Sequence, residues 1–506
     1  MKIASLLSLA SFTALAHGSK PTRDYAANDY YVLHLDSATT PDQVANRLGL
    51  AHEGQLGALD DHHVFRASKA DHDIVTRHIT ERKRRKRDLG GSDPLDGILL
   101  SKKQEARQHL FKRDVVPSAP RGLPFLGDRH NARAQDLAAY QETIMKQLDI
   151  QDPIFKEQWH LLNPLQPGHD VNVTGLWLEG ITGKNVTVAV VDDGLDMNSD
   201  DLKPNYFAEG SWDFNDNDAE PAPVLDDDRH GTRCAGEVAA ARNDVCGVGV
   251  AYDSKVAGLR ILSKLISDAD EAEALMYKYD DNHIYSCSWG PADDGQTMEA
   301  PDVVIRRAML KAIQKGRSGK GSIYVFASGN GAGQGDNCNF DGYTNSIYSI
   351  TVGAVDRTGL HPYYSEECSA QLVVTYSSGS GDAIVGSLSQ MQITFANIIS
   401  TQPMLERTAV TRLTVVHLLP PPLLRVSLLL SFKSALILLG ETSSTLRWIP
   451  RFLLMATKPT NKTPQLAKSS VTPLDTARST HGPWLKEPRI GSWSSLNRGT
   501  FLLGSM

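Results

Sequence analysis

A short apolar run that ends on two carboxylates constrains the fold of this chain more than any other feature. Val188–Val191 is followed at once by an Asp-Asp-Gly turn at 192–194, which is typical of a buried strand that ends at a turn. Further along, His230 precedes a Gly-Thr pair, small residues with which a helix can open. Asp192 and His230 therefore predict the first two members of a catalytic triad in the chain order Asp, His, Ser.

Apolar runs alternate with segments of helical spacing between residues 152 and 384. The predicted strands are Val186–Val191, Val256–Leu262, Ile284–Ser288 and Ile323–Ala327. The predicted helices between them are Gly231–Ala241, Asp268–Tyr279 and Val303–Gln314. This alternation predicts an α/β fold in which helices cover both faces of a doubly wound parallel sheet. Such folds place their sites at the carboxyl ends of the strands, so we expect Asp192 and His230 at that edge.

Three side chains are candidates for catalysis. Asp192 would accept a hydrogen bond from one ring nitrogen of His230, which fixes the tautomer of the imidazole and leaves His230 to act as general base. Asn330, in the run Ala327–Gly331, would donate its amide to a developing oxyanion. Each motif alone is more often structural. Their occurrence together and in this order favours the catalytic interpretation.

Residues 1–18 are typical of a secretory signal peptide. Lys2 precedes an apolar run from Ile3 to Leu15, and small residues stand at Ala14 and Ala16. An exported chain can form disulfides, and the five cysteines are an odd number that leaves at least one of them unpaired. The net charge of −7 gives no indication of nucleic-acid binding. The expected compartment is the lumen of the secretory pathway.

Residues 19–113 are expected to form a small unit of their own. Its predicted elements are a strand at Tyr30–Leu35 and a helix within Asp42–Leu50. Two basic runs follow, Lys83–Arg87 and Lys112–Arg113. A basic run is usually a solvated surface or a nuclear signal, but an exported chain has no use for a nuclear signal. Both runs are therefore candidate cleavage sites, after Arg87 and after Arg113.

The sequence pattern changes after Ile384. Leu413–Leu439 is rich in leucine but is interrupted by three prolines, Arg425 and Lys433. Its longest apolar part falls short of the ~20 residues that a membrane span requires. We expect residues 385–506 to be an irregular tail, either unrelated to the preceding domain or out of frame with it, and a membrane helix is the less favoured interpretation.

Five motifs occur in order along the chain. They are Asp192-Asp-Gly-Leu-Asp, Arg229-His-Gly-Thr-Arg-Cys-Ala-Gly-Glu, Tyr285-Ser-Cys-Ser-Trp-Gly-Pro, Ala327-Ser-Gly-Asn-Gly and Asp341-Gly-Tyr-Thr-Asn-Ser-Ile-Tyr. Together they resemble the kexin/furin group of subtilisin-like proprotein convertases, and the cysteine of the third motif leans towards fungal kexin. The resemblance implies a subtilisin-like catalytic domain at 114–384, behind a small α/β propeptide that acts as inhibitor and chaperone. It also implies a location at the endoplasmic reticulum or the late Golgi membrane, with a membrane anchor.

The resemblance implies a serine endopeptidase that cuts proproteins after paired basic residues such as Lys-Arg and Arg-Arg. Such substrates, and the chain's own propeptide, are the expected partners. Basic side chains that lose water need acidic partners. By motif position these are Asp293 and Asp341 for the arginine before the cut (P1), Asp193 and Asp227 for the basic residue before it (P2) and Glu299 for P4, with Trp289 and Gly290 also binding substrate. Acids that merely keep the domain soluble are the alternative.

The resemblance also implies Ca²⁺ as a cofactor, an ion that prefers oxygen ligands. The implied ligands are Asp152, Asp201 and Asn243 at one site and Asp293, Asp336 and Glu366 at another, near the specificity pocket. A disulfide between Cys338 and Cys368 is implied as well.

The resemblance stops near residue 384. The family's nucleophilic serine belongs to a Gly-Thr-Ser-Ala motif, and no Gly-Thr-Ser occurs anywhere in this sequence. We therefore expect the chain as written to be inactive. Three hypotheses stay open: a kexin-type protease recorded with a damaged C-terminus, a pseudoprotease that binds dibasic peptides or propeptides, and a secreted precursor whose only stable unit is the N-terminal one.

Overall fold

The computed structural model describes residues 22–89, 92–114 and 131–378, all within one compact unit. The expected signal peptide and the expected tail at 385–506 lie outside these residues. Among the described residues, no helix is both long and apolar enough to cross a membrane.

The N-terminal unit, residues 22–114, is built on a four-stranded antiparallel sheet. Its elements are β1 (Asn28–Leu35), α1 (Pro41–Leu48), β2 (Ala51–Leu56), β3 (Leu59–Ser68), α2 (Ile74–Leu89) and β4 (Ile98–Gln104), with the strand order β2-β3-β1-β4. Helix α1 begins with a capping box, in which the Thr40 hydroxyl accepts from the backbone N–H of Gln43 and the Gln43 side chain accepts from that of Thr40. It ends at Gly49, whose φ of 68° is the left-handed conformation that favours glycine.

Strand β1 is buried on both faces. Tyr31 and Leu33 point into the unit's own core, while Tyr30 and Val32 join a second core that belongs to the larger part of the chain. The period of two along a strand is what directs neighbouring side chains to opposite faces. The N-terminal unit is therefore docked through its sheet.

The remaining elements follow in chain order. The strands are β5 (Phe111–Lys112), β6 (Thr187–Asp192), β7 (Trp212–Asp213), β8 (Lys255–Arg260), β9 (Ile284–Cys287), β10 (Trp289–Gly290), β11 (Ile323–Ala327), β12 (Ser349–Val355) and β13 (Gln371–Tyr376). The helices are α3 (Asn131–Leu148), α4 (Thr174–Leu178), α5 (His230–Ala239), α6 (Asp268–Ala274) and α7 (Val303–Gly319).

Seven of these strands form one parallel sheet in the order β13-β12-β11-β9-β6-β8-β7. Every residue of β6 is buried, with Val188 and Val190 in the core that contains α5 residues and Ala189 and Val191 in the core that contains α6 and α7 residues. Helices thus cover both faces, and the predicted doubly wound α/β fold is confirmed. The prediction missed β7, β12 and β13, and it extended α6 to Tyr279, although the helix ends at Ala274.

Candidate active site

Asp192 and His230 meet at the carboxyl edge of the parallel sheet. Asp192 is the last residue of β6, and His230 is the first residue of α5. The Oδ1 atom of Asp192 lies 2.7 Å from Nδ1 of His230, and both side chains are buried. Burial by itself lowers the pKa of His230, but the negative charge of Asp192 outweighs this and raises the pKa well above its ordinary value. This pairing orients the imidazole with Nε2 facing away from Asp192, as a general base requires.

Asp193 holds the start of α5. Its two carboxylate oxygens accept from the backbone N–H groups of His230, at 3.1 Å, and of Gly231, at 2.7 Å. These amides have no partner within the helix, so an acid at this end satisfies them and interacts favourably with the helix dipole. Asp193 therefore positions the backbone of His230, a role that the sequence analysis did not assign to it.

Residues 111–113 cross this site as an extended strand. Strand β5 pairs antiparallel with β10, with Lys112 opposite Trp289 and Phe111 opposite Gly290. The backbone N–H of Arg113 donates to the carbonyl of Ser288 at 2.9 Å. The carbonyl oxygen of Arg113 then lies 3.3 Å from Nε2 of His230. The peptide bond after Arg113 thus lies beside the imidazole, with its carbonyl oxygen facing Nε2.

The guanidinium of Arg113 fills a closed acidic pocket, the Arg113 pocket, formed by Trp289, Asp293, Ala327 and Asp341. One nitrogen, Nη2, lies 2.7 Å from Asp341 and 3.1 Å from Asp293. The other, Nη1, donates to the carbonyls of Ala327, at 2.7 Å, and of Trp289, at 3.2 Å. A Cβ atom at Gly290 would come within 2.4 Å of the guanidinium, so only glycine leaves room for it.

Lys112 occupies a shallower site, the Lys112 pocket, formed by Asp193 and Asp227. Its ammonium lies 3.1 Å from Asp193 Oδ2, 3.3 Å from Asp227 Oδ2 and 3.1 Å from the Asp227 carbonyl. The four acids of the two pockets are those that sequence analysis assigned to the basic pair. The two backbone carbonyls of the Arg113 pocket were missed, since no side-chain pattern marks a carbonyl.

Asn330 and Glu299 have other partners in the structure, and the oxyanion role of Asn330 stays a prediction. The side-chain amide of Asn330 donates to the carbonyl of Asp114 at 2.9 Å, not to that of Arg113, whose oxygen faces the imidazole instead. Glu299 binds Arg107 at 2.6 Å and not the P4 residue. The reason is that P4 is Leu110, a buried side chain without charge that packs in the apolar core.

A further buried contact was missed. Nε2 of His109 lies 3.0 Å from Glu271, a buried carboxylate on α6 that also accepts from the hydroxyl of Tyr343. Nδ1 of His109 lies 3.1 Å from the carbonyl of Arg107. Both ring nitrogens thus face acceptors, which favours the protonated ring. Burial alone lowers the pKa of His109, but Glu271 outweighs it and the pKa is raised. The helical spacing of α6 could have marked Glu271 as inward-facing.

Both candidate calcium-ligand sets are brought together. The amide of Asn243 donates to Asp201 Oδ1 at 3.2 Å, and its backbone N–H donates to Asp152 at 3.3 Å. In the second set, ligand atoms of Asp293, Asp336 and Glu366 all lie within 4.8 Å of one another.

The disulfide and the second basic run are also located. Cys338 and Cys368 form a disulfide, as the family resemblance implied. Arg87 lies within helix α2. Because residues 111–113 bind this site in extended form, cleavage after Arg87 would require that part of α2 to unwind.

Comparisons with known proteins find similarity to subtilases and to fungal proteases of the kexin type. Residues 183–397 match the subtilase family. The chain is 50% identical over 383 residues to the kexin of Candida albicans (strain WO-1), a match that covers 72% of this chain and 40% of the relative. It is 66% identical over 236 residues to the protease KEX1 of Kluyveromyces lactis, a match that covers 47% of this chain and 31% of the relative. It is 64% identical over 248 residues to the dibasic-processing endoprotease of Yarrowia lipolytica, a match that covers 49% of this chain and 25% of the relative. The chain thus spans two fifths or less of the length of these relatives.

Proposed function

We propose that the chain, whose residues 183–397 match the subtilase family, holds in its described residues the substrate site of a proprotein-processing protease that cuts after paired basic residues. One observation carries the proposal. Lys112 and Arg113 occupy two acidic pockets while the carbonyl oxygen of Arg113 lies 3.3 Å from Nε2 of His230. Residues 19–113 would be the propeptide, bound to the protease as its own first substrate.

The proposed chemistry needs a serine nucleophile in addition to the described residues. A serine nucleophile would attack the carbonyl carbon of the P1 residue, and His230 would take the hydroxyl proton on Nε2. Asp192 stabilises the imidazolium that results. His230 would then return the proton to the leaving amine, and water would release the acyl group in a second, equivalent cycle.

We further propose that calcium binds at both acidic sets, because each brings carboxylates together in surroundings that disfavour their charged form. Burial raises the pKa of Asp201 to about 8 and that of Asp152 to about 6. Burial and the neighbouring Asp293 raise the pKa of Glu366 to about 8. Asp201 also keeps one buried carboxylate oxygen, Oδ2, without a hydrogen-bond partner. Carboxylates in this state suit a hard cation, which when bound supplies the positive charge that keeps them ionised.

The proposed setting is the lumen of the secretory pathway. The disulfide between Cys338 and Cys368 supports it, because disulfides persist in oxidising compartments. The proposed substrates are proproteins with Lys-Arg or Arg-Arg sites, in keeping with the names of the dibasic-processing relatives.

A second function is favoured by one specific observation. The recognition pockets are complete, yet the sequence contains no Gly-Thr-Ser motif. A chain of this kind would bind dibasic peptides or propeptides without cutting them. We therefore propose that the chain as written recognises paired basic residues and is catalytically inactive.

The test expresses the full chain and an H230A variant in cells that lack other dibasic-cutting proteases. We expect no cleavage after Arg113 in either protein, as seen by N-terminal sequencing. A cut in the full chain that H230A abolishes would establish a working nucleophile and overturn the proposed inactivity.

Recognition is tested separately with a variant in which both Lys112 and Arg113 are alanine, which frees the two pockets. We expect this variant to bind a Lys-Arg peptide and to ignore the matching Ala-Ala peptide in isothermal titration calorimetry. Equal binding of the two peptides would refute dibasic recognition.

A further inference from the structure

Two carboxylates of the second calcium-ligand set, those of Asp336 and Glu366, lie equally close in sequence to the two cysteines of the disulfide. Asp336 lies two residues before Cys338, and Glu366 lies two residues before Cys368. The Cα atoms of the two cysteines are 5.3 Å apart. Since two residues of chain span at most ~7 Å, the disulfide limits how far the backbones of Asp336 and Glu366 can separate.

The two cysteines belong to segments that the chain order keeps apart. Asp336 and Cys338 follow β11, whereas Glu366 and Cys368 lie between β12 and β13. Hydrogen bonds help to join the segments: Gly331 N–H donates to Glu366 Oε1 at 2.9 Å, and the Ser369 hydroxyl donates to Asn339 at 2.9 Å. The disulfide is the covalent link among them.

The carboxylates themselves oppose this arrangement. Asp293, Asp336 and Glu366 place ligand atoms within 4.8 Å of one another, so their charges repel each other when all three are ionised. A cation between them removes the repulsion, but only if the segments are already held at coordination distance. Hydrogen bonds alone resist the separation weakly, whereas a covalent link limits it at every moment.

We propose that the Cys338–Cys368 disulfide is a positioning element of this calcium site and, through it, of the Arg113 pocket. Asp293 connects the two, because it belongs to the ligand set and also lies 3.1 Å from the Arg113 guanidinium. The proposal rests on the calcium binding proposed above. It assigns the disulfide to one site and not to the stability of the fold in general.

The experiment measures binding of Ca²⁺ alone to the full chain by isothermal titration calorimetry. The variant carries Cys338→Ala and Cys368→Ala. The matched control carries Cys287→Ala, which removes a buried cysteine of β9 that is in no disulfide. Asp336→Asn and Asp201→Asn variants identify which binding event belongs to which ligand set.

We expect the event assigned to Asp336 to weaken about 10–100-fold in the double variant, the usual cost of losing a group that orients metal ligands. The event assigned to Asp201 should keep its affinity, as should both events in Cys287→Ala. Reduction of the folded, unaltered chain should reproduce the selective loss, which covers the case in which the double variant fails to fold.

Three results overturn the proposal, and they are distinguishable. Unchanged affinity at both sites without the disulfide removes the positioning role alone. Equal loss at both sites, after mutation and after reduction, shows that the disulfide supports the whole fold. No calcium binding by the unaltered chain removes the proposed cofactor together with this inference.

Discussion

The two pockets that hold Lys112 and Arg113 are adjacent but differ in their contact with water. The side chain of Arg113 is 2% exposed, and its acids Asp341 and Asp293 are 5% and 19% exposed. The side chain of Lys112 is 22% exposed, and of its two acids Asp193 is buried whereas Asp227 is 70% exposed. A charge pair removed from water is costly to break, because the remaining partner stays buried without compensation. The comparison therefore predicts strict selection at Arg113 and tolerant selection at Lys112.

The pockets also differ in geometry. The Arg113 pocket offers two carboxylates and two carbonyls to a planar fork of donors, which is the shape that arginine presents and lysine does not. The Lys112 pocket offers three oxygens around a single ammonium, which is what a point charge needs. Each pocket thus matches the residue it holds, and the five predictions below test this difference.

The largest effect is expected for Arg113→Ala. The change leaves Asp293 and Asp341 as neighbouring acids without their cation, and breaking a buried pair costs about 3–5 kcal/mol. Amide hydrogen exchange over residues 111–113 should become faster by a corresponding factor. Lys112→Ala is the matched control, and an equal effect of the two changes would contradict the comparison.

Arg113→Lys should cost less than Arg113→Ala but at least as much as the changes at the Lys112 pocket. Lysine keeps the charge but loses the contacts to the carbonyls of Trp289 and Ala327, at about 1.5–3 kcal/mol for hydrogen bonds that involve a charge. The same hydrogen-exchange measurement applies. Protection equal to that of the unaltered chain would show that the pocket selects charge alone.

Asp193→Asn should make the docking of Lys112 in its pocket less favourable by about 1–2 kcal/mol, since a buried carboxylate is replaced by a neutral amide. Because Asp193 also accepts from His230 and Gly231, the start of α5 should become less protected as well. Hydrogen exchange at the His230 and Gly231 amides measures this second effect. An effect confined to residues 111–113 would show that Asp193 serves recognition only.

Docking of Lys112 should depend on pH. Burial and the neighbouring Asp192 raise the pKa of Asp193 to about 6 with Lys112 in place. Lys112 lowers this pKa, so it is higher still when Lys112 is undocked. A group whose pKa falls on docking favours docking above its undocked pKa, and this contribution is lost as pH falls through the undocked value towards about 6. The difference in protection between the unaltered chain and Lys112→Ala should therefore shrink as pH falls from 8 to 5, and a constant difference would refute it.

The smallest effect is expected for Asp227→Asn. An exposed ion pair contributes about 0.2–1 kcal/mol and is screened by salt. The change in protection of residues 111–113 should disappear at high salt, whereas that of Arg113→Ala should persist. A loss as large as that of Asp193→Asn would mean that the Lys112 pocket depends on its exposed acid.

The spacing of apolar residues along the chain predicted most strands and helices of the parallel-sheet domain. The apolar strand before Asp192 and the small residues after His230 place both side chains at one sheet edge, because parallel strands end together there. The motif resemblance implied the acids and the disulfide, because a motif specifies which side chain stands at each position. Strand β13 was missed because two of its alternate residues, Leu372 and Val374, are exposed apolar side chains and give no clear alternation of apolar and polar residues.

The sequence by itself thus determined which chemical groups are available: the Asp192–His230 pair, the acids for a basic pair and the two cysteines. Only the tertiary structure decided the partners that no side-chain motif specifies. It placed Glu299 against Arg107, the Asn330 amide on the Asp114 carbonyl, and two main-chain carbonyls around Arg113. Those choices depend on strand register and on the depth of each pocket, which arise from packing between distant segments. A carbonyl oxygen is present at every residue, so only the fold can give one of them a role.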